Sequence, residues 1–243
     1  SIADFIASRY GKSRLLAGLV TLIALVGVVP YVALQLKAVG AGYALLTGSS
    51  ATPEPGRWFD GTLLVALVLA GFTIAFGTRH IDNTERHEGL MAAVATESVV
   101  KLLAFMAVGG FVTWGLFNGP GDLFQRALAQ PALAAVLQPD AATFAYDQWL
   151  ALLLLAMLSV LMLPRQFQVM VVENVDEGHV KRAAWAFPAY LLLINLFVLP
   201  IAFGGLLFFG PGSANPETFV LSLPLAAGMP TLALVAFIGG LSA

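Results

Sequence analysis

From Leu15 to Leu36 the chain runs without a single charged side chain, and five further apolar runs follow it, near 61–78, 89–117, 149–172, 183–209 and 230–243. Crossing ~30 Å of hydrocarbon takes about 20 mostly apolar residues as an α-helix, against about 9–11 as a tilted β-strand. A backbone in lipid must also satisfy its own hydrogen bonds, so only helices and closed barrels span a bilayer. Runs of this length therefore predict an all-α, polytopic membrane helical bundle of about six spans, with the lipid bilayer as principal partner. Composition agrees, at 59% hydrophobic and 11% charged, where a soluble domain carries about 25% charged residues. The absence of cysteine excludes disulfides, thiol catalysis and thiolate metal sites. A net charge of -2 without any Lys/Arg-rich tract gives no reason to expect nucleic acid.

The separators between runs are charged or rich in turn formers: Thr47 to Gly56, Arg79 to Glu88, Asn118 to Asp147, Asn174 to Arg182 and Gly210 to Pro216. The third is long enough to hold a short interfacial helix around Asp122 to Ala129. Sidedness follows from the basic residues, which collect on the cytoplasmic side. With the N-terminal end inside, the inner segments carry Arg9, Lys12, Arg14, Arg79, Arg86, Lys181 and Arg182, and the outer ones only Arg57 and Arg126. The chain begins at Ser1 and stops at Gly239-Gly-Leu-Ser-Ala243 inside an apolar run, which reads as the middle portion of a longer membrane domain.

Three basic residues fall in or beside the runs. Lys37 lies at the outer end of the first, where its stem can snorkel to the headgroups. Glu97 and Lys101 lie well inside the third, one turn apart, with Thr96 and Ser98 beside the acid. An ionisable group at mid-membrane costs about 2.5 to 3.5 kcal/mol, so one that persists faces a partner or a cavity. Two readings remain open: an i,i+4 ion pair that satisfies itself, or a carboxylate with hydroxyls lining a cation path. At 1.5 Å per residue Glu97 lies on the order of 12 Å inside its run.

Arg165 belongs to Pro164-Arg165-Gln166, which falls beyond the middle of the run 149–172. Proline removes a backbone hydrogen bond and clashes with the preceding turn, and the carbonyls it frees must find protein or cavity water. The triplet thus reads as a helix break in the solute path or as a plain kink at the inner interface. Broken helices at such depth recur where transporters meet substrate and ions. Pro224 and Pro230 make Phe219 to Gly228 an external or re-entrant helix and start the last span near Pro230, which puts Ser242 near mid-bilayer. Gly109-Gly110, Gly204-Gly205 and Gly239-Gly240 permit close helix packing. His80, His87 and His179 fall in inner loops without metal-ligand company, and no nucleotide loop, nucleophile elbow or zinc motif supports an enzyme.

Several segments together resemble the sodium/solute symporter family. Ser1-Ile-Ala-Asp-Phe-Ile-Ala-Ser-Arg-Tyr-Gly-Lys-Ser-Arg14 looks like the entry to its fourth helix, and Leu90 to Lys101 like part of its fifth-to-sixth helix region. Leu163-Pro-Arg-Gln-Phe-Gln-Val169 sits where the family carries a Gly-Gln-Pro-type break, here in the order Pro164-Arg165-Gln166. Val29 to Ala38, Arg79 to Gly89 and Phe219 to Gly228 resemble the branch that forms the N-terminal membrane domain of sensor histidine kinases. The resemblance implies a LeuT-like fold of inverted repeats, of which this chain would supply the middle spans, in a bacterial inner (plasma) membrane. It also implies Na+ as coupling ion, with Ser242, Gly239 and Glu97 on the ion route and Pro164, Arg165 and Gln166 near substrate. The function it implies is sodium-coupled binding and transport of a small organic solute, an amino acid or carboxylate. The alternative is a solute-sensing input domain of a two-component sensor kinase, whose kinase region would lie outside this chain.

Overall fold

Every described element is helical, as long apolar runs with few strand-type alternations require. The computed structural model describes residues 1–48, 61–77, 88–137, 146–210, 212 and 214–241. In order, these form α1 (Ile2–Arg9), α2 (Arg14–Thr47), α3 (Gly61–Phe72), α4 (Glu88–Gly110), α5 (Pro120–Ala129), α6 (Pro131–Leu137), α7 (Tyr146–Met162), α8 (Pro164–Phe167), α9 (Glu177–Asn195), α10 (Val198–Phe209), α11 (Phe219–Ala226) and α12 (Pro230–Leu241). A π-type turn follows α3, α4 and α8, at Thr73–Gly77, Phe111–Leu116 and Gln168–Val172.

Capping sets several of the boundaries. The Ser1 hydroxyl accepts from the Asp4 amide at the start of α1, and Ser13 accepts from Leu16 at the start of α2, each satisfying an amide that a helix N-terminus leaves unpaired. Gly48 ends α2 in the left-handed region, at φ 67°, where glycine carries no Cβ penalty. The helix therefore runs past Lys37 for a further turn and more, instead of stopping at Leu36 as the first charge suggested. Pro30 lies within α2 without ending it.

Three stretches are long and apolar enough to cross a membrane: Arg14–Thr47, Met91–Leu116 and Glu177–Phe209. Leu63–Ala75, Tyr146–Val160 and Pro230–Gly240 are apolar but shorter. The expected fourth span, 149–172, is not one continuous helix. It is interrupted by a bend at Leu163 between α7 and α8, and it ends in the π turn to Val172. The expected interfacial segment is occupied by α5, an amphipathic helix that buries Leu123 and Ala127 and bonds Arg126 Nε to Asp122 Oδ1 at 2.8 Å on its exposed face.

The core lies where α4, its π turn, α5, α10, α11 and α12 meet. Val108, Val112, Leu123 and Leu223 are fully buried there, with Phe197, Ile201, Phe203 and Phe219 around them. Glycines make this approach close. A Cβ on Gly109 would overlap Phe197, one on Gly205 would overlap Phe219, and one on Gly204 would stand 2.5 Å from Val112 Cγ1. α12 lies along α4 in the same manner, a Cβ on Gly239 coming to 2.8 Å from Ala104 Cβ. Elsewhere the packing is sparse: α3 rests on α2, and α7 is exposed along most of its length. α1 folds back on α2 and reaches α8 through Phe5 and Phe167, whose rings are 5.4 Å apart.

Candidate functional site

Small residues on facing helices leave space where larger ones would close it. Between α2, α4, the α9–α10 junction, α11 and α12 lies a cavity of about 450 Å3. Its walls are mainly apolar, among them Val39, Phe105, Leu221 and Phe237, with Gly42, Gly239 and Gly240 supplying the space. Four polar side chains join them: Gln35 from α2, Lys101 from α4, Asn195 from the end of α9 and Glu217 from the turn before α11. Sites for small molecules run roughly 300–1,000 Å3, with apolar walls and a few placed polar groups, and this cavity has that character.

The polar groups differ in what they already hold. Asn195 donates to the Leu191 carbonyl at 2.7 Å. Glu217 stands 3.7 Å from Lys37 across the cavity rim, both side chains about two-thirds exposed, so water weakens the attraction. Among the described residues, Lys101 takes part in no ion pair and no hydrogen bond, and the Gln35 amide is likewise unbonded. Lys101 is half-buried, and its Cα is 3.5 Å from where a Gly239 Cβ would stand.

Glu97 and Lys101 are not paired with each other in the structure. Lys101 is on the cavity wall, while Glu97, one turn earlier on α4, is not among the lining residues. The hydroxyls beside Glu97 are occupied within their own helix, Thr96 Oγ1 donating to Ala92 and Ser98 Oγ to Val94, both at 2.8 Å. Tyr190 Oη donates to the Ser98 carbonyl at 3.2 Å and ties α9 to this part of α4. Gly239 both packs on Ala104 and lines the cavity. Ser242, His80 and His87 lie outside the described residues, as does the side chain of Arg165. Among the described residues, Glu97 does not line the cavity that Gly239 lines. Among them no three His, Asp or Glu side chains cluster as metal ligands either.

Gln166 goes to a different place. With Asn174 and His179 it lines a second cavity of about 470 Å3, closed by Val160, Met170, Phe187 and Pro188. Pro164 begins α8 directly after the bend at Leu163, and the Phe167 amide donates back to the Leu163 carbonyl at 2.9 Å. Sequence reasoning missed Gln35, Asn195 and Glu217. For the first two the available signal was an unflagged amide inside an apolar run, which is costly unless something receives it. Comparison with known proteins returns no matching family model, no matching curated protein and no matching solved structure.

Proposed function

We propose that the chain is a membrane domain of secondary-transporter type, with about six spans and the N-terminal end cytoplasmic, that binds a small organic solute and carries it across the bilayer. The observation that carries this reading is the cavity of about 450 Å3 with Lys101, Gln35, Asn195 and Glu217 on otherwise apolar walls between helices long or apolar enough for a bilayer. Lys101 and Gln35 face this space half-buried and without a partner among the described residues, which suits a site that receives a polar ligand. The break between α7 and α8 adds support: an interrupted helix beside a second polar-lined cavity suits a fold that opens to alternate sides. Sodium as coupling ion, the LeuT-like arrangement and a bacterial inner membrane rest on the family resemblance alone.

Transport is tested with the full-length protein in proteoliposomes, measuring uptake of labelled amino acids and carboxylates with sodium or potassium outside. Accumulation above protein-free vesicles, greater in sodium, is the expected result. Equal counts in loaded and empty vesicles for every solute would overturn it. The sensory alternative shares the same cavity and separates from transport by this readout: solute binding without uptake.

A further inference from the structure

We infer that Glu217 is a two-position switch at the cavity rim: paired with Lys37 it leaves the cavity open, and turned inward onto Lys101 it closes it. This rests on the reading of the cavity as a solute site and adds what occludes it, and its test needs no solute. Lys101 stands ten residues into the apolar stretch Met91–Leu116, far from either end, at a depth where a charge faces a cavity or an opposite charge. Among the described residues lining the cavity, Lys101 is the one cation and Glu217 the one carboxylate. Glu217 is meanwhile weakly held. Its carboxylate is 3.7 Å from Lys37 Nζ, beyond hydrogen-bond length, and both side chains are about two-thirds exposed. Attraction between unlike charges grows as water is excluded, so inward the carboxylate meets a stronger partner. The step desolvates the carboxylate but neutralises a half-buried ammonium, which leaves the two positions near enough in energy for a small bias to choose between them.

The move asks only for side-chain rotation. The turn Pro216–Thr218 is fixed by Asn215, whose Oδ1 accepts from the Glu217 amide at 3.1 Å, while Lys101 carries its ammonium on a flexible four-carbon stem. Lys37, already at the surface, turns to water or headgroups when released. Joined inward, the Glu217 and Lys101 side chains stand in the space of about 450 Å3 that a solute would occupy.

The test uses a thiol inside the cavity, since the chain has no cysteine of its own. Val39→Cys places one on the wall. Its rate of modification by uncharged methyl methanethiosulfonate is followed by mass spectrometry in the full-length protein in micelles, with Gly121→Cys on the exposed start of α5 as the reagent control. Lys37→Gln frees Glu217 to turn inward and should slow the reaction at position 39 about threefold, within the roughly fivefold that an exposed pair can hold back. Adding Lys101→Met removes the inward partner and should restore the rate. Adding Glu217→Gln, a change at the exposed rim that leaves the core untouched, should restore it too. The sign decides: were Lys37 acting only by favouring the thiolate, loss of a second cation would slow the reaction further. No slowing in Lys37→Gln, or slowing that neither second substitution reverses, overturns the inference. The two proposals fail separately: the slowed and restored rates without vesicle uptake refute transport and leave the switch, and uptake with no slowing in Lys37→Gln refutes the switch and leaves transport.

Discussion

Replacing Gly109 by alanine should loosen the α4–α10 contact, and its neighbour Gly110 supplies the control. Both residues close α4, and both are helical positions where alanine is intrinsically favoured over glycine, by about 0.8–1.0 kcal/mol. They differ in what the new methyl meets. At Gly110 nothing lies within 4 Å, whereas at Gly109 the methyl would overlap the Cβ, Cγ and Cδ1 of Phe197. Phe197 cannot swing aside, since its Cβ is fixed to the backbone at the start of α10, its side chain is buried, and its ring packs edge-on against Trp114 at 6.1 Å. The helices must separate instead, and overpacking of this kind costs about 1–3 kcal/mol. With the propensity gain common to both, Gly109→Ala should be less stable than Gly110→Ala by about 2 kcal/mol, near thirty-fold in the folded-to-unfolded ratio. Reversible unfolding in mixed micelles of increasing SDS fraction, followed by tryptophan fluorescence and circular dichroism, measures that difference. Equal midpoints for the two variants would show that the α4–α10 approach is not as close as described.

Three further outcomes are expected. The Asp122 carboxyl is held below its ordinary 3.8 by the hydrogen bond from Arg126 and then by the Asn118 amide. Since its folded pKa is depressed, its contribution is complete above 3.8 and fades as pH falls through the lower folded value; a 13C carboxyl titration should therefore place Asp122 below 3.8, and Arg126→Gln should move it back up. Tyr190→Phe removes the bond to the Ser98 carbonyl and should cost about 0.5–1.5 kcal/mol in the same SDS titration, toward the lower end because that carbonyl belongs to a helix. Exchanging the rim charges as Lys37→Glu with Glu217→Lys should change stability by less than about 1 kcal/mol, while either single change makes a like-charge pair whose penalty shrinks as salt is added.

Three of the six expected runs proved long enough for a bilayer, within Arg14–Thr47, Met91–Leu116 and Glu177–Phe209, and all six were readable as apolar helices because that signal is local: apolar residues in number, with turn formers between them. α2 outran its expected end because Lys37 does not stop a helix when its ammonium can lie at a surface near Glu217, a residue 180 positions away that no local pattern connects to it. Pro164 marked the interruption in the fourth run, yet the bend falls at Leu163 and the continuation becomes a π turn, which depends on packing that the triplet does not encode. The cavity was the least readable feature. Lys101 stood out as a charge in an apolar run, but its place on a cavity wall beside Gly239, unpaired with Glu97, is visible only in the folded chain. Gln35, Asn195 and Glu217 come from three distant segments and meet only in the folded chain.

The π turn after α4 has a consequence for anyone mapping this helix by substitution. Buried positions along it fall at Ala104, Val108 and Val112, four apart, with Thr113 also buried, and buried Phe117 follows in extended backbone outside the helix. A π turn closes on i→i+5 bonds, so it slips the helical phase by about one residue, roughly 100° around the axis. A cysteine-accessibility scan from Glu88 should therefore follow the four-residue beat through Ala104, Val108 and Val112 and lose any helical beat where the π turn ends at Leu116 and Phe117 turns extended.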